Sequence, residues 1–229
     1  MRRVIISGAS RGIGAASARL LQASGWFTIL MARNEGALKK LAAQNPRMAA
    51  VLPADMSDEA DLTAAIRRAI TEFGPVRAMV HCAGIMVTGT ADSLSPADWR
   101  RTLDVNLTAP FFASRLLIPH FRENGGGHLV FISSVAAEEY FPGNTSYSVS
   151  KAGLNKLADD LREELRPDNI AVTTLMPAAT ATPLWEGSGF DTKDFTQPDD
   201  VANIVKTILE SPDSAIPEVV RLRRVKGNV

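Results

Sequence analysis

Three residues in the middle of the chain have side chains that can hold and move a proton: Ser134, Tyr147 and Lys151. Tyr147 and Lys151 are four positions apart in a stretch that predicts a helix, so both lie on one face of it. The unperturbed pKa of a phenol is about 10, and a lysine cation one turn away lowers it by favouring the phenolate. Such a pair can exchange a proton with a substrate oxygen near neutral pH while the serine hydroxyl holds that oxygen.

A tyrosine and a lysine at this spacing also occur by chance on many helices, usually as a solvated pair. The pattern alone is therefore weak support for an active site. Its interpretation depends on the elements that would position it.

A glycine-rich loop near the amino terminus predicts a nucleotide site. The apolar, β-branched run at 3–7 predicts a buried strand, and the residues after Gly14 favour a helix. Strand, glycine loop and helix form the context that a dinucleotide-binding turn requires. Gly8 permits the tight turn, Gly12 lets the backbone approach a pyrophosphate, and Gly14 lets the helix pack closely on the strand. The alternative is a plain loop that contains three glycines.

Together these motifs resemble the short-chain dehydrogenase/reductase family, in its compact single-domain branch. The family motif TGxxxGxG reads SGASRGIG at 7–14, and the family motif NNAG reads HCAG at 81–84. The family motif PGxxxTP reads PAATATP at 177–183. The likeness extends over roughly residues 4 to 210, with five motifs in the family's order.

The resemblance implies the roles of individual residues. The family's catalytic tetrad corresponds to Asn106, Ser134, Tyr147 and Lys151, with Ser133 as the second candidate for the serine. Lys151 would also hold the nicotinamide ribose, and Asn106 would hold a water that links Lys151 to solvent. The residues expected to bind the cofactor are Gly8, Ser10, Arg11, Gly12, Ile13, Gly14, Arg33, Asp55, Ala83, Gly84, Tyr147, Lys151, Pro177 and Thr182.

The end of the second predicted strand bears on which nucleotide binds. An acid there would bond an adenosine ribose 2′-hydroxyl and repel a 2′-phosphate, but Ala32 occupies the position and Arg33 follows it. With Arg11 in the glycine loop, two guanidinium groups can meet one phosphate. We therefore expect NADP(H) to be preferred over NAD(H), the alternative being two solvated arginines. Asp55 resembles the family's adenine-contacting aspartate or is a helix N-cap, a role that Ser57 also fits.

Composition narrows the class of protein. The chain has 229 residues, a formal net charge of zero and a single cysteine, Cys82. Balanced charge gives no reason to expect a nucleic-acid partner, and one cysteine fits a reducing compartment. The three histidines lack metal-ligand spacing, so no metal is expected. We expect a cytoplasmic protein without a signal peptide or membrane span.

Strands and helices alternate, which predicts a doubly wound, Rossmann-type α/β/α fold with a seven-stranded, mainly parallel sheet. We expect one domain over 1–229 with a short substrate lid at about 183–197. The predicted strands are 3–7, 27–31, 48–52, 76–81, 128–133, 170–176 and 216–221. The predicted helices are 12–24, 34–44, 57–73, 96–122, 146–165 and 198–210, and Pro110 and Pro119 should bend or break the fourth.

The predicted reaction is NADPH-dependent reduction of a ketone or aldehyde to an alcohol, or its reverse. The alternatives are a non-catalytic NADPH sensor on the same fold and another reaction such as epimerisation or dehydration. The substrate pocket should be lined from 85–90, from 136–144 and from the residues after Pro183. Tyr140 and Phe141 could form an apolar wall, and the glutamates before them could meet a polar or cationic group, unless this loop is simply exposed.

Two further features concern the lid and assembly. Trp185 and Phe190 either close over the site or pack on the body of the protein. The carboxyl end lacks the Gly-Gly pair that is common after the last strand of the family, which bears on tetramer geometry. By resemblance the helices at 96–122 and 146–165 would form a dimer interface, so a homodimer or homotetramer is expected, and the basic tail at 221–226 should be a solvated end.

Overall fold

The fold is a single twisted sheet covered by helices, seen in a computed structural model that describes residues 1–187 and 189–225. The sheet has seven strands in the order β3-β2-β1-β4-β5-β6-β7. The strands are β1 (Arg3–Ser7), β2 (Phe27–Ala32), β3 (Ala49–Pro53), β4 (Ala78–His81), β5 (Gly127–Ile132), β6 (Ile170–Pro177) and β7 (Val219–Leu222). Each neighbouring pair is parallel, which confirms the predicted seven-stranded, mainly parallel sheet.

Helices connect the strands and cover both faces. They are α1 (Gly12–Ala23), α2 (Glu35–Ala42), α3 (Glu59–Phe73), α4 (Pro96–Leu103), α5 (Ala109–Glu123), α6 (Thr145–Leu165) and α7 (Pro198–Glu210). Short 3₁₀ turns occur at Val135–Ala137, Arg166–Asp168, Pro183–Trp185 and Thr192–Asp194. Among the described residues, none of the helices is long and apolar enough to cross a bilayer.

The core forms two apolar layers, one on each face of the sheet. Along β1, Ile5 faces one layer with residues of α3, α5 and α6, while Val4 and Ile6 face the other with residues of α1, α2 and α7. Because successive strand residues point to opposite faces, both faces of β1 must be apolar. This explains why the central strands are near-continuous apolar runs.

β1 lies between β2 and β4, because the chain runs outward from β1 to β2 and β3 and then crosses back to place β4 on the other side of β1. The loops that follow these strands therefore separate at the carboxyl ends of β1 and β4, and a crevice opens between them. Ser7, His81 and Ile132 end three of the central strands. Motifs that are far apart in sequence meet at this edge.

The long helix predicted at 96–122 is interrupted. A π-helical segment, Asp104–Thr108, separates α4 from α5, and Pro110 lies in the first turn of α5. A proline at that position has no N–H to leave unbonded, so the missing donor costs little there. The wider π turn contains the fully buried Asn106.

Most predicted boundaries lie within two residues of those observed, and two differences from the predictions are informative. The last strand begins at Val219 instead of 216, because Pro217 cannot donate to a strand ladder and its carbonyl instead accepts from Thr173. Neither Asp55 nor Ser57, the two N-cap candidates, caps α3, since Asp58 accepts the capping bond from the Asp61 N–H. The predicted domain includes residues 226–229, the predicted basic tail includes Lys226 and the predicted lid includes Ser188, all of which lie outside the described residues.

The close approach of α1 to the loop after β1 yields a stability prediction. A Cβ on Gly14 would lie 2.4 Å from the Gly8 carbonyl oxygen, so Gly14→Ala requires the backbone to move. We expect a loss of about 1 to 3 kcal/mol in the free energy of unfolding, measured by urea denaturation.

The matched control is Gly36→Ala. Gly36 also lies in a helix, α2, but the nearest atom to its added Cβ is 3.5 Å away. Alanine there should stabilise the protein by up to about 1 kcal/mol. Equal effects at the two glycines would contradict the packing described for α1.

Candidate active site

A cavity of about 730 Å³ lies along the carboxyl edge of the sheet. It extends from the glycine loop, past the ends of β2 and β4, to the first turns of α6. All the residues predicted to bind the cofactor line it, as do Ser134, Tyr147 and Lys151. Asn106 is the exception among the predicted site residues, because it is fully buried behind the wall of the cavity.

Tyr147 and Lys151 lie on one face of α6, as their spacing predicted. The Lys151 Nζ is 5.7 Å from the centroid of the Tyr147 ring and donates a hydrogen bond of 2.8 Å to the Ile132 carbonyl. Both side chains are largely buried, with 9% of Tyr147 and 4% of Lys151 exposed. The lysine ammonium is thus held at the end of β5 beneath the tyrosine ring.

The two candidate serines differ in their contacts. Ser134 is hydrogen-bonded to the Tyr147 hydroxyl, and its oxygen accepts from the Ala136 N–H at 3.1 Å. Ser133 is instead bound to the Asn155 carboxamide oxygen at 2.5 Å. The structure therefore brings Ser134, and not Ser133, into contact with the tyrosine.

Asn106 is fixed by three hydrogen bonds. Its carboxamide accepts from the Ile85 N–H and donates to the Ile85 carbonyl, both at 2.9 Å. It also donates to Ser150 in α6 at 2.9 Å. A Cβ on Gly84 would lie 3.5 Å from the Asn106 Oδ1 and 3.7 Å from the Lys151 Nζ, so a side chain here would contact both polar groups.

Burial changes the pKa values of both Tyr147 and Lys151. It lowers the pKa of Lys151 to about 8 and raises the pKa of Tyr147, which the Ser134 hydrogen bond partly offsets. The lowering of the tyrosine pKa expected from Lys151 is therefore not seen in the protein alone. The physical reason is that desolvation disfavours both charged forms, ammonium and phenolate, and here it dominates.

The residues that replace the family's two asparagines are uncharged. Burial lowers the pKa of His81 to about 3, and its ring stacks on Phe131 with 4.8 Å between centroids. Burial also raises the pKa of the Cys82 thiol to about 12. Near neutral pH both side chains are neutral, so they add no charge beside Lys151.

The glycine-loop end of the cavity suits an anion. Arg11 is the N-cap of α1 but makes no side-chain cap bond, so the first N–H groups of this helix are not capped by that side chain. Free N–H groups and the helix dipole at such an end favour a phosphate. Thr182 approaches the loop closely, since a Cβ on Gly12 would lie 3.2 Å from its methyl carbon.

The far end of the cavity holds several charged groups. Ala32, Arg33 and Asp55 line it together with Arg101 from α4. Burial would raise the pKa of Asp55, but hydrogen bonds from Ser57 and the charges of Arg33 and Arg101 hold it below its ordinary value. Asp55 therefore carries a negative charge at neutral pH and lies near two guanidinium groups.

The segment after β6 covers the part of the cavity next to the glycine loop. Trp185 lines the cavity and packs edge-on against Phe195 and Phe190, with centroids 4.9 and 5.5 Å away. Phe195 is buried, whereas 62% of Phe190 is exposed. Glu186 lies 3.9 Å from the Arg11 guanidinium, so this segment also contacts the glycine loop.

The glutamates of the loop at 138–141 form ion pairs that the sequence did not predict. Glu138 pairs with Arg221 and Glu139 with Arg223, so each carboxylate has a cationic partner in the carboxyl-terminal strand or its flank. Phe141 lines the cavity, whereas Tyr140 is 86% exposed and lies outside its lining, which matches the alternative of an exposed loop for that residue. These pairings join β7 to the wall of the cavity.

Sequence reasoning did not single out some residues of the cavity. Arg101 lies in α4 and lines the cavity, but no motif marked it. Asn144 and Met86 also line the cavity. They fell inside the ranges expected to line a substrate pocket, but no pattern marked them individually.

Comparison with known proteins places the chain in a family. A family model described as short chain dehydrogenase matches residues 2–193, and the chain belongs to that family. It is 29% identical over 225 residues to an uncharacterized oxidoreductase of Staphylococcus haemolyticus, covering 98% of this chain and 97% of that protein. It is 31% identical to 3-ketodihydrosphingosine reductase of Bos taurus, covering 98% of this chain and 69% of that one.

Solved structures show the same fold with both kinds of nicotinamide cofactor. An alcohol dehydrogenase from Thermococcus sibiricus, complexed with 5-hydroxy-NADP, is 26% identical with a TM-score of 0.92, covering 100% of this chain and 99% of that one. A 3-ketoacyl-(acyl-carrier-protein) reductase from Brucella melitensis, complexed with NADH, is 27% identical with a TM-score of 0.90, covering 96% of each chain. The chain is thus an oxidoreductase-family protein of the nicotinamide-binding fold.

The burial of Lys151 yields a prediction for stability. Lys151→Met should raise the free energy of unfolding at pH 7 by about 1 to 3 kcal/mol, because a buried ammonium with a lowered pKa opposes folding. Below about pH 8 the lysine is protonated in both the folded and the unfolded chain, so the cost is fully present. As the pH rises from about 8 towards 10.5, the folded lysine loses its proton first and the wild type approaches the variant.

Urea denaturation between pH 7 and 10 measures this difference. The control is Lys40→Met, since Lys40 is an exposed residue of α2 and its replacement should give no pH-dependent difference. If the difference in stability between Lys151→Met and wild type stays constant over this range, the lowered pKa of Lys151 is contradicted.

Proposed function

We propose that this protein is an NADPH-dependent oxidoreductase that reduces a ketone or aldehyde to an alcohol, or runs the reverse oxidation. The observation that supports this most directly is the contact of Ser134 with Tyr147 above the Lys151 ammonium. These groups lie in the same cavity as the uncapped N-terminus of α1. A phosphate-bearing cofactor anchored at that end would extend towards the tyrosine.

Each polar group has a distinct role in this proposal. When bound, the nicotinamide supplies the hydride that reaches the carbonyl carbon. Ser134 and Tyr147 donate hydrogen bonds to the carbonyl oxygen as negative charge develops on it, and Tyr147 gives up its proton to form the hydroxyl. Lys151 stabilises the resulting phenolate, since its ammonium lies beneath the ring.

Asn106 serves the proton path. Its carboxamide bonds to the backbone at Ile85 and to Ser150, which fixes the turn where the π-helical segment faces Lys151. By the family resemblance it would hold a water that returns protons to Lys151 from solvent. In this role Asn106 lets the buried Lys151 ammonium exchange protons with solvent.

The test of this mechanism is Tyr147→Phe. The variant keeps the ring and loses only the hydroxyl, so turnover should fall by at least about a thousandfold while NADPH still binds. Activity is followed as NADPH consumption against ketones, aldehydes, quinones, 3-ketoacyl thioesters and 3-ketodihydrosphingosine, the last two because relatives carry names that refer to such compounds. NADPH binding is followed by cofactor fluorescence.

Tyr140→Phe is the matched control, because the chain has two tyrosines and Tyr140 is exposed outside the cavity lining. It should leave turnover unchanged. Equal turnover by Tyr147→Phe and wild type would overturn the mechanism.

The preference for NADPH rests on the end of β2. Ala32 presents no carboxylate, and Arg33 is exposed to the cavity, where it can bond a 2′-phosphate through two N–H groups. Arg11 is the second candidate but also lies near Glu186, which competes for its charge. Arg33 is therefore the better single residue to test.

Arg33→Ala should raise the KM for NADPH by about tenfold to a hundredfold, since a charge-assisted hydrogen bond contributes about 1.5 to 3 kcal/mol. The KM for NADH should change by less than about threefold, because NADH lacks the phosphate that Arg33 is proposed to hold. Arg47→Ala, at an exposed site outside the cavity, is the control. Equal losses with both cofactors would refute a phosphate-binding role for Arg33.

We further propose how the rest of the molecule serves this reaction. The described part of 183–197 acts as a lid over the substrate end, and residues 1–229 act as one domain. Phe111 of α5 and Val149 of α6 are exposed apolar residues, which supports a dimer through these helices, and β7 offers an edge for a tetramer. The free thiol of Cys82 fits a reducing, cytoplasmic location.

A further inference from the structure

A third contact joins the end of β5 to α6 beside the two that belong to the proposed active site. Tyr147, Lys151 and Asn155 follow one another at intervals of four residues in α6, so they lie on one face of the helix. Each of them contacts one of three consecutive residues, 132–134, at the end of β5 and the start of the loop after it. The proposed reaction uses Tyr147 and Lys151 and gives Asn155 no role.

Asn155 holds the hydroxyl of Ser133. The Ser133 Oγ donates a hydrogen bond of 2.5 Å to the Asn155 Oδ1, whereas the Lys151 carbonyl is 3.4 Å from the same Oγ. The Asn155 Nδ2 donates in turn to the Met176 Sδ of β6 at 3.6 Å. Because only 3% of Ser133 is exposed, its hydroxyl depends on an acceptor within the protein, and the Asn155 oxygen is the closer of these two.

Asn155 acts on the site through other residues. It is half-buried and is not among the described residues that line the cavity. The N–H of its partner Ser133 donates to the Leu175 carbonyl at 2.7 Å, and the chain then turns into the 3₁₀ segment Val135–Ala137. Ser134 lies between these two points, so the position of Ser133 determines where the Ser134 hydroxyl lies.

We propose that Asn155 is a positioning residue that holds Ser133 at the end of β5 and thereby keeps the Ser134 hydroxyl in contact with Tyr147. Without the carboxamide, the Ser133 hydroxyl retains the Lys151 carbonyl as its acceptor. Hydroxyl hydrogen bonds are normally about 2.7 to 2.8 Å long, so closing the gap of 3.4 Å displaces Ser133 and the adjacent Ser134. The inference rests on the proposed carbonyl reduction for its kinetic test but not for its titration test.

The kinetic test is Asn155→Leu, which keeps a side chain of similar size and removes the acceptor. The kcat for ketone reduction should fall by about tenfold to a hundredfold, because misplacing a catalytic group by a small distance has effects of this order. The dissociation constant for NADPH should stay at its wild-type value, since Lys151 keeps its own bond to the Ile132 carbonyl.

Asn203→Leu is the matched control. Asn203 is an exposed residue of α7 outside the described lining of the cavity, so this variant should keep the wild-type kcat and NADPH binding. Asn155→Ala removes the carboxamide without adding apolar bulk, and it provides the test if thermal unfolding shows that Asn155→Leu is not folded. A wild-type kcat in a folded Asn155 variant would overturn the positioning role.

A double-mutant cycle separates positioning of Ser134 from a merely structural role. In a Ser134→Ala background the contact with Tyr147 is already absent, so adding Asn155→Leu should lower kcat by less than about threefold. If Asn155→Leu causes the same fold-loss with and without Ser134, it acts by another route and the proposal fails.

A titration tests the same role without any turnover. In Tyr140→Phe the phenolate absorbance reports Tyr147 alone, and the Ser134 hydrogen bond lowers the pKa of that phenol against the effect of burial. Asn155→Leu adds no charge, so it should raise the pKa of Tyr147 through loss of this bond, and it should raise it no further in Ser134→Ala.

The titration also distinguishes the two proposals. If no ketone is turned over but the pKa of Tyr147 rises in this coupled way, the reductase proposal fails and the positioning role of Asn155 stands. If the pKa of Tyr147 is the same with and without Asn155→Leu, the positioning role is overturned whatever the turnover.

Discussion

The site depends on the burial of one lysine charge. The Lys151 ammonium has 4% of its residue surface exposed and donates to the Ile132 carbonyl at the end of β5. Such a charge is costly to bury, so its neighbours must be rigid and its hydrogen bonds made in advance. The parallel sheet supplies the carbonyl, and α6 supplies the lysine one turn from Tyr147. The packing of α6 against β5 and β6 thereby fixes the geometry on which any proton transfer relies.

Several other features of the fold follow from this arrangement. The π-helical turn at 104–108 brings the buried Asn106 to the loop after β4, where it bonds Ile85 and Ser150. Gly84 leaves the space between Asn106 and Lys151 that a side chain would fill. His81 and Cys82, which stand where relatives have asparagines, are neutral at physiological pH and do not disturb the lysine. The site is thus a set of polar groups held inside a largely apolar layer.

The periodic and local features of this protein could be predicted from its sequence. Short apolar runs predicted the strands, and apolar residues at helical spacing predicted the helices. The spacing of Tyr147 and Lys151 predicted that both lie on one face of a helix. Contacts set by long-range packing could not be predicted in this way. The pairing of Glu138 with Arg221 joins residues that no local pattern connects, and the outward direction of Tyr140 depends on a loop whose conformation has no period. The raised pKa of Tyr147 needed its burial, which only the structure supplies.

The central claim is that burial holds the pKa of Tyr147 above its ordinary value in the free protein and that the oxidised cofactor lowers this pKa enough for proton exchange with the substrate oxygen. The chain has two tyrosines, so in Tyr140→Phe the phenolate absorbance reports Tyr147 alone. Its titration should give a pKa above the ordinary value of about 10 without ligand. Saturating NADP⁺, whose nicotinamide ring is cationic, should lower that pKa towards neutrality. A pKa that NADP⁺ leaves unchanged would contradict this account of the site.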